Sequence, residues 1–184
     1  MPKTVRILDK TFEQTFTPEV IEQRVRAVAE CLSRDLGEKN PLFLGVLNGS
    51  FVFAADLLRH LDFPAQVTFV KMASYEGMSS TGTVRELIGL SEAIEGRCLV
   101  VVEDIIDSGL TMARLLELLQ EYHPAEVHIA VLFLKPENLK VDSLPVDYAL
   151  FRIPNDFIVG YGLDYEGYGR NLPGIYTLTQ NNIK

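Results

Sequence analysis

Short, mostly apolar runs of strand length alternate with helical repeats along this 184-residue chain. An apolar run without a polar face has to be covered on both sides when it forms a strand, as happens inside a parallel sheet. Helices that alternate with such strands supply the two covering layers. The pattern therefore predicts an α/β domain rather than a β-sandwich or a helical bundle.

Two βαβ units account for most of this alternation. The first is a strand at 42–47, a helix at about 51–61 and a strand at 67–72, and the second is a strand at 98–102, a helix at 109–122 and a strand at 127–134. An earlier helix begins at Thr17-Pro18, a hydroxyl cap followed by proline, and is expected to end at Gly37. Two polar stretches, 74–83 and 135–145, are predicted to be long loops at a functional edge.

Charge and hydropathy argue against two classes of protein. Seventeen Lys and Arg residues against twenty-five Asp and Glu residues give a net charge of −8, which disfavours a nucleic-acid partner. The longest unbroken apolar run, 129–134, is far shorter than the roughly 20 residues of a spanning helix. The N-terminus lacks the apolar segment of a secretory signal, so we expect a cytoplasmic protein without a membrane partner.

Cysteine and histidine residues show no ligand spacing in the sequence. Cys31 and Cys98 are expected to be buried thiols outside any disulfide framework. His60, His123 and His128 are dispersed along the chain, and the sequence assigns them no role.

The segment after the strand at 98–102 carries the most informative chemistry. Ser108, Gly109 and Thr111 place hydroxyls and unhindered N–H groups at the start of a predicted helix. The orphan N–H groups and the helix dipole favour a phosphate at such a position. Ligands of open α/β sheets bind beyond the carboxyl ends of the strands, where this segment is expected to lie.

Three acids, Glu103, Asp104 and Asp107, precede the hydroxyl residues and would repel a bare phosphate. The conflict disappears when the ligand also carries sugar hydroxyls or Mg²⁺ for the acids to hold. The residues therefore indicate a phosphorylated sugar, and a phosphoribosyl compound fits. The alternative is an ordinary loop in which Asp107 or Ser108 caps the helix.

The same segment resembles the phosphoribosyl pyrophosphate (PRPP) motif of the type I phosphoribosyltransferase family. From about residue 42 to 176 the chain is similar, in the same order, to the hypoxanthine-guanine branch of that family. The further matches are Leu47-Asn48-Gly49-Ser50, Ser74-Tyr75 with Ser80-Thr81-Gly82, Lys135, the run 157–165, and Arg170.

The resemblance implies both a fold and a reaction. The fold would be a central, mainly parallel sheet flanked by helices, with a small hood and a flexible active-site loop. Residues 1–184 would form one domain, with the core at about 37–151 and the hood built from the N-terminal segment and about 152–184. The reaction would transfer the 5-phosphoribosyl group of PRPP, with Mg²⁺, to N9 of hypoxanthine or guanine, giving IMP or GMP and pyrophosphate.

The resemblance also implies how the purine is bound. Asp107 would face purine N7, either with a pKa raised by burial or as a hydrogen-bond acceptor. Lys135 would donate to the 6-oxo group, Phe157 would stack on the ring, and Ile158 would contribute backbone contacts. Asp164 would contact Mg²⁺ and the base. Each of these residues also has a plainer alternative: Lys135 as a solvated loop lysine, Phe157 as a core residue, and Asp164 or Arg170 as surface charges that form a weak pair.

PRPP would be held by a second set of residues. The implied contacts are Glu103 and Asp104 to the ribose hydroxyls, Ser108, Gly109, Leu110 and Thr111 to the 5′-phosphate, Asn48, Gly49 and Arg170 to the pyrophosphate, and Ser74 and Tyr75 in a lid. Asn48 departs from the family, which usually has lysine there, and Lys71 or Arg170 are candidates to replace that charge. The peptide before this position is often cis in the family.

Three questions stay open at the level of sequence. The base preference could be shifted toward xanthine, because 6-oxopurines share the Lys135 contact. A PRPP-sensing regulator of the same fold that binds nucleic acid is an alternative that the acidic charge disfavours. The family resemblance implies a homodimer or a homotetramer.

Overall fold

A computed structural model gives the structure of residues 3–74 and 84–179. The elements in chain order are β1 (Thr4–Ile7), β2 (Lys10–Phe16), α1 (Pro18–Leu36), β3 (Leu42–Val46), α2 (Phe51–Arg59), β4 (Gln66–Ser74), β5 (Val84–Ile88), β6 (Cys98–Ile106), α3 (Leu110–Gln120), β7 (Glu126–Leu134), β8 (Tyr148–Arg152), β9 (Ile158–Val159) and β10 (Ile175–Leu178). Short 3₁₀ turns lie at Gly37–Lys39 and Pro136–Asn138.

A six-stranded sheet forms the centre of the molecule, in the order β5-β4-β3-β6-β7-β8. All its neighbouring strands are parallel except β4 and β5, which are antiparallel. Parallel neighbours place the carboxyl ends of β3, β6 and β7 at one edge, where the three following loops meet. The predicted α/β class with a mainly parallel central sheet is confirmed.

Both faces of this sheet are covered, as the apolar runs require. Val100 and Val102 of β6 face α1 and α2, whose Leu32 and Phe53 belong to the same buried cluster. The alternate residues of β6 face α3 on the other side, and Val101 packs in one cluster with helix residues such as Leu115. Period-two alternation along a strand thus divides one apolar run between two cores.

A smaller antiparallel sheet, in the order β1-β2-β10-β9, joins the two ends of the chain. Its core is formed by Ile7, Phe12, Val159 and Tyr176. We refer to this sheet and the segment 152–174 as the hood. Its strands are short, between two and seven residues, and their apolar pattern was too brief to be recognised in the sequence.

One predicted strand end differs from the structure by four residues, and other element ends differ by one or two residues. The strand predicted at 98–102 continues to Ile106, because β6 keeps pairing with β7 up to Leu134. Gly37 follows the last residue of α1, Leu36, so the predicted end of this helix is confirmed. The chain then continues as a 3₁₀ turn, and Asn40 is the left-handed residue. The Thr17 hydroxyl makes no capping bond, although Pro18 does begin α1.

Two further expectations concern single residues and membrane spans. Cys98 is buried as predicted, whereas Cys31 is half-buried. No helix in the described part of the chain has the length and apolar character needed to cross a bilayer.

Candidate active site

The carboxyl ends of β3, β6 and β7, with the loops that follow them, bring most of the predicted phosphate, sugar and base residues to one edge of the central sheet. Of the two predicted lid residues, only Ser74 is among the described residues. Ser74 is the last residue of β4, and Tyr75 and the rest of the segment to residue 83 lie outside the described residues.

The N-terminus of α3 forms a small cavity suited to an anion. The cavity has a volume of about 110 Å³, and its lining includes Asp107, Ser108, Gly109 and Thr111. Gly109 is the N-cap residue in the left-handed conformation, with φ of 76°. The N-cap residue has no side chain to cap the helix, and the Leu110 N–H makes only a long bond of 3.5 Å to the Ser108 hydroxyl, so a ligand can compete for the first N–H groups. Leu110, the first helical residue, is 53% exposed and only its backbone is suited to bind.

The loop at 136–146 closes over this helix start. The backbone N–H of Lys140 donates to the carbonyl of Ser108 at 2.9 Å. A side chain at position 109 would overlap Val141 of the same loop, which leaves room only for glycine there. The hydrogen bond from Lys140 and the packing of Val141 therefore both hold the helix N-terminus in place.

Glu103 and Asp104 lie within β6 rather than in the loop after it, because the strand continues to Ile106. The Asp104 N–H donates to Glu103 Oε1 at 3.2 Å, and the Ile105 N–H donates to Asp104 Oδ1 at 2.8 Å. Desolvation, together with the neighbouring Asp104 carboxyl, raises the pKa of Glu103 well above its ordinary value. Glu103 therefore holds its proton more tightly than an exposed glutamate, and its position beside Asp104 favours an approaching cation or hydroxyl donor.

The loop after β3 packs directly on these acids. A side chain on Gly49 would overlap the Asp104 carboxylate, and one on Gly162 would overlap the Gly49 carbonyl. The peptide bond between Leu47 and Asn48 is cis, as the resemblance implies. The Asn48 side chain is exposed at the rim. Gly49 thus links the acids of β6 to the hood.

Lys135 and Asp107 form a charged pair in which the Lys135 Nζ donates to Asp107 Oδ2 at 2.8 Å. Lys135 is only 6% exposed, so the interpretation as a solvated loop lysine is wrong. Its ammonium group also donates to Asn155 Oδ1 at 3.3 Å. The side-chain amide of Asn138 donates to the second Asp107 oxygen.

These donors lower the pKa of Asp107. Lys135 makes the largest contribution, and the hydrogen bond from Asn138 acts in the same direction. Of the two alternatives left open by the sequence, a raised pKa does not hold in this structure. Asp107 is an ionised acceptor at neutral pH.

Asn138 and Asn155 were missed by the sequence analysis. Asn138 follows Lys135 by three residues in a turn that begins at Pro136, and this spacing could have indicated its position beside the lysine. Asn155 offered no comparable signal, because the chain returns to Lys135 only through the tertiary fold.

The hood supplies the remaining predicted residues. Phe157 is 47% exposed, so it is not a core residue, and its ring packs edge-on against Tyr165. Ile158 follows as the first residue of β9 and is buried. Asp164 and Arg170 form the ion pair that the plainer alternative predicted, with 2.5 Å between Asp164 Oδ1 and Arg170 Nη2.

The Arg170 guanidinium is held within the hood. Its Nη1 donates to the Gly162 carbonyl at 2.7 Å, while the Asp164 carboxylate also accepts from the Gly167 N–H at 2.7 Å. Gly162 in turn contacts the Gly49 loop. The structure therefore brings Arg170 to the rim next to Gly49, and it does not place it in contact with Asp107.

Comparison with known proteins decides the family. The sequence profile of the phosphoribosyl transferase domain matches residues 15–166. The chain belongs to the phosphoribosyltransferase family. A protein of Lactococcus lactis named hypoxanthine-guanine phosphoribosyltransferase is 42% identical over 173 residues, which cover 93% of each chain. A hypoxanthine-guanine-xanthine phosphoribosyltransferase of Tritrichomonas foetus is 38% identical and covers 95% of this chain and 96% of its own.

Solved phosphoribosyltransferase structures share the fold. The hypoxanthine phosphoribosyltransferase of Trypanosoma cruzi, in a ternary complex with substrates, superposes with a TM-score of 0.84 at 38% identity. The match covers 93% of this chain and 97% of that one. The resemblance inferred from the sequence motifs is therefore confirmed at the level of family and fold.

Proposed function

We propose that this phosphoribosyltransferase acts in purine salvage. It transfers the 5-phosphoribosyl group of PRPP to N9 of hypoxanthine or guanine, and it releases IMP or GMP and pyrophosphate. The names of the relatives support this substrate class, and the geometry around Asp107 supports the reaction.

One observation carries the proposal: Asp107 belongs both to the charged pair with Lys135 and to the lining of the phosphate-sized cavity. A ligand that fills the cavity with its phosphate therefore places its sugar beside Asp107. A base attached to that sugar reaches Lys135. This order of phosphate, sugar and base is the order of groups in a nucleoside monophosphate.

The Lys135–Asp107 pair matches the edge of a 6-oxopurine. Its donor and acceptor atoms lie 2.8 Å apart. The purine presents an acceptor, O6, next to the N7 proton, so each group on the protein meets its complement. An ammonium group has only donors and would face the donor 6-amino group of adenine without an acceptor. Phe157, a half-exposed residue of the hood, would stack on the ring.

PRPP would be held by the groups on both sides of Asp107. The N–H groups and hydroxyls of Ser108, Gly109, Leu110 and Thr111 would bind the 5′-phosphate. Glu103 and Asp104 would accept hydrogen bonds from the ribose hydroxyls. Asn48, Gly49 and Arg170 would contact the pyrophosphate. Arg170, or Lys71 next to the Val70 carbonyl that accepts from the Leu47 N–H, would replace the charge of the missing lysine at position 48.

Mg²⁺ fits the carboxylates of this site. The raised pKa of Glu103 results in part from the neighbouring Asp104 carboxyl, and a divalent cation would relieve that repulsion. Asp164 offers a further oxygen donor near Arg170. Mg²⁺ takes one or two carboxylates and completes its shell with ligand oxygens and water. When bound with PRPP, it would supply positive charge to the pyrophosphate.

Transfer would proceed through an oxocarbenium-like transition state at C1′ of the ribose. Asp107 would accept the N7 hydrogen bond and increase the electron density at N9, and it would do so as an ionised acceptor because its pKa is lowered. Lys135 would orient the base through O6. Arg170 would stabilise charge that develops on the leaving pyrophosphate. Ser74 and Tyr75 would belong to a lid that excludes water.

The test is an assay of purified protein with PRPP, Mg²⁺ and each base. Formation of IMP from hypoxanthine and GMP from guanine, with one pyrophosphate released per nucleotide, is expected. Adenine should give no AMP at the same enzyme concentration. Absence of nucleotide from either 6-oxopurine would contradict the proposal.

A preference for xanthine is the second candidate, and the Tritrichomonas foetus relative favours including it because its name covers all three bases. Xanthine differs from hypoxanthine at the 2-position and keeps the O6 contact with Lys135. The same assay determines the preferred base. A kcat/KM for xanthine above those for hypoxanthine and guanine would show that the enzyme prefers xanthine.

We propose further that residues 1–184 form one domain that assembles as a homodimer or a homotetramer in the cytoplasm. The family resemblance supports the assembly, and pairing of β2 with β10 near the two chain ends supports one domain. Light scattering of the purified protein measures the molar mass, and a mass equal to that of a single chain would contradict the oligomer.

A further inference from the structure

A second group of polar side chains lies at the amino ends of β6 and β7, at the sheet edge opposite the phosphate cavity. Cys98, Glu126 and His128 offer a thiol, a carboxylate and an imidazole, and their ligand atoms all lie within 4.8 Å of one another. The proposed transfer reaction uses none of these residues.

Sheet register fixes these three residues relative to one another. Cys98 and Glu126 are direct partners across β6 and β7, and His128 lies two residues further along on the same face as Glu126. Cys98 is buried, whereas Glu126 and His128 are half-buried, so solvent reaches the group from one side. The sequence spacing gave no indication of the group because its members come from two strands.

The orientation of His128 is typical of a metal ligand. Its Nδ1 is 3.1 Å from Asp147 Oδ1, and the other Asp147 oxygen accepts from the Ile129 N–H at 2.9 Å. Metal-binding histidines commonly bond through one ring nitrogen to such a carboxylate. The other nitrogen, Nε2, faces Glu126 Oε2 at 3.1 Å.

A positive charge already occupies the open side of the group. The Lys39 Nζ donates to Glu126 Oε2 at 2.8 Å, and the Lys39 side chain is 46% exposed. Lysine at this exposure can swing into solvent. A cation that binds Glu126 more strongly than an ammonium group would displace it.

We propose that Cys98, Glu126 and His128 form a binding site for a thiophilic divalent transition metal ion, with Zn²⁺ as the biological occupant. Three protein ligands of sulfur, nitrogen and oxygen, with a fourth position open to water, match the coordination that Zn²⁺ adopts. Tetrahedral zinc places its ligand atoms roughly 3.3–3.8 Å apart at ordinary bond lengths, so a small contraction of the group is sufficient. Mg²⁺ prefers oxygen ligands and would not compete for the thiolate.

The site would act as a clamp between strands rather than as part of the transfer reaction. Cys98 and Ile106 are the two ends of β6, and at about 3.3 Å per residue they are roughly 26 Å apart. Zn²⁺ would cross-link β6 and β7 at their amino ends. We therefore expect bound metal to raise the melting temperature and to leave kcat unchanged.

Cobalt(II) is the probe, because thiolate coordination gives it a charge-transfer band that oxygen sites do not produce. Titration of the reduced full chain with Co²⁺ should give this band at one equivalent, and Zn²⁺ should abolish it by displacement. Cys98→Ser should lose the band. Cys31→Ser, which changes the half-buried thiol of α1, is the matched control and should keep it.

Three variants test the remaining parts of the site and do not depend on the buried thiol. His128→Gln should weaken Co²⁺ binding at least about tenfold, and Asp147→Asn should weaken it about 10- to 100-fold while the band remains. Lys39→Met should tighten binding because it removes the competing cation. The proposal is wrong if the native chain shows no sulfur band, if the band persists in Cys98→Ser, or if His128→Gln leaves the affinity unchanged.

Discussion

Glu103 and Asp107 are two acids from the same end of β6, and their surroundings shift their pKa values in opposite directions. Glu103 is desolvated beside Asp104, which raises its pKa, whereas Asp107 accepts from Lys135 and Asn138, which lowers its pKa. One strand end therefore provides two kinds of carboxyl group. Glu103 would bind a cation or sugar hydroxyls, whereas Asp107 is a preformed acceptor for a base.

The strongest test of this contrast is Asp107→Asn. Asparagine keeps the shape and loses the anionic acceptor for N7, so kcat for hypoxanthine should fall about 10²- to 10⁴-fold. The KM for PRPP should change little, because the 108–111 phosphate contacts remain. Steady-state kinetics measures both values, with Asp142→Asn, an exposed acid in the neighbouring loop, as the control. A kcat within twofold of the native value would remove Asp107 from the mechanism.

Lys135→Met should act mainly on the base. It removes a charged donor to O6, a loss of about 1.5–3 kcal/mol or roughly 10- to 150-fold in affinity. We expect the KM for hypoxanthine to rise by that factor and the KM for PRPP to stay constant. Lys140→Met serves as the control, since this exposed lysine acts on Asp107 only through its charge. Equal losses for both substrates would show that Lys135 supports the fold rather than the base.

Glu103→Gln should separate stability from binding. A raised pKa means that the folded chain holds this proton more tightly than the unfolded chain, so stability falls as pH rises from 4.5 through the folded pKa. Glutamine does not ionise, so the Glu103→Gln variant should not lose this stability as pH rises. Urea unfolding at pH 7 should show a gain of about 0.5–2 kcal/mol, while PRPP binds more weakly. A less stable variant would mean that Glu103 is well accommodated as an anion.

Asn138→Ala should give the smallest effect. Lys135 is the larger cause of the lowered Asp107 pKa, so loss of the Asn138 hydrogen bond should move that pKa only part of the way back toward 3.8. The stabilisation linked to Asp107 is present above 3.8 and is lost as pH falls through the folded pKa. The loss begins near 3.8 in both proteins, and in the variant it should be smaller and complete at a higher pH. Carboxyl ¹³C titration measures the shift, and an unchanged midpoint would contradict it.

The central sheet could be predicted because its signal is local. Runs such as 127–134 are apolar enough to require cover on both faces, and the observed β7 begins only one residue earlier. The hood could not be predicted in the same way. Its strand β9 has two residues, and β2 pairs with β10 across most of the chain length, a contact that no local pattern encodes.

The candidate site likewise contains residues that the local sequence predicts and residues that only tertiary contacts bring into place. The helix start at Ser108 and Gly109 follows from residue types that suit an anion. The position of Lys135 beside Asp107 depends on the parallel pairing of β6 with β7, and Asn155 approaches only because the hood folds back. The end of β6 was placed four residues too early, because Glu103 and Asp104 are polar residues in a strand that sheet pairing extends.

The proposed function depends on binding of a phosphorylated pentose by the segment 103–111. The most direct measurement is an NMR titration of isotopically labelled protein with PRPP and Mg²⁺. We expect the amide signals of Ser108, Gly109 and Thr111 to shift and saturate together, while signals at the opposite edge, such as Cys98, stay in place. Unmoved signals throughout 103–111 at saturating PRPP would contradict the account.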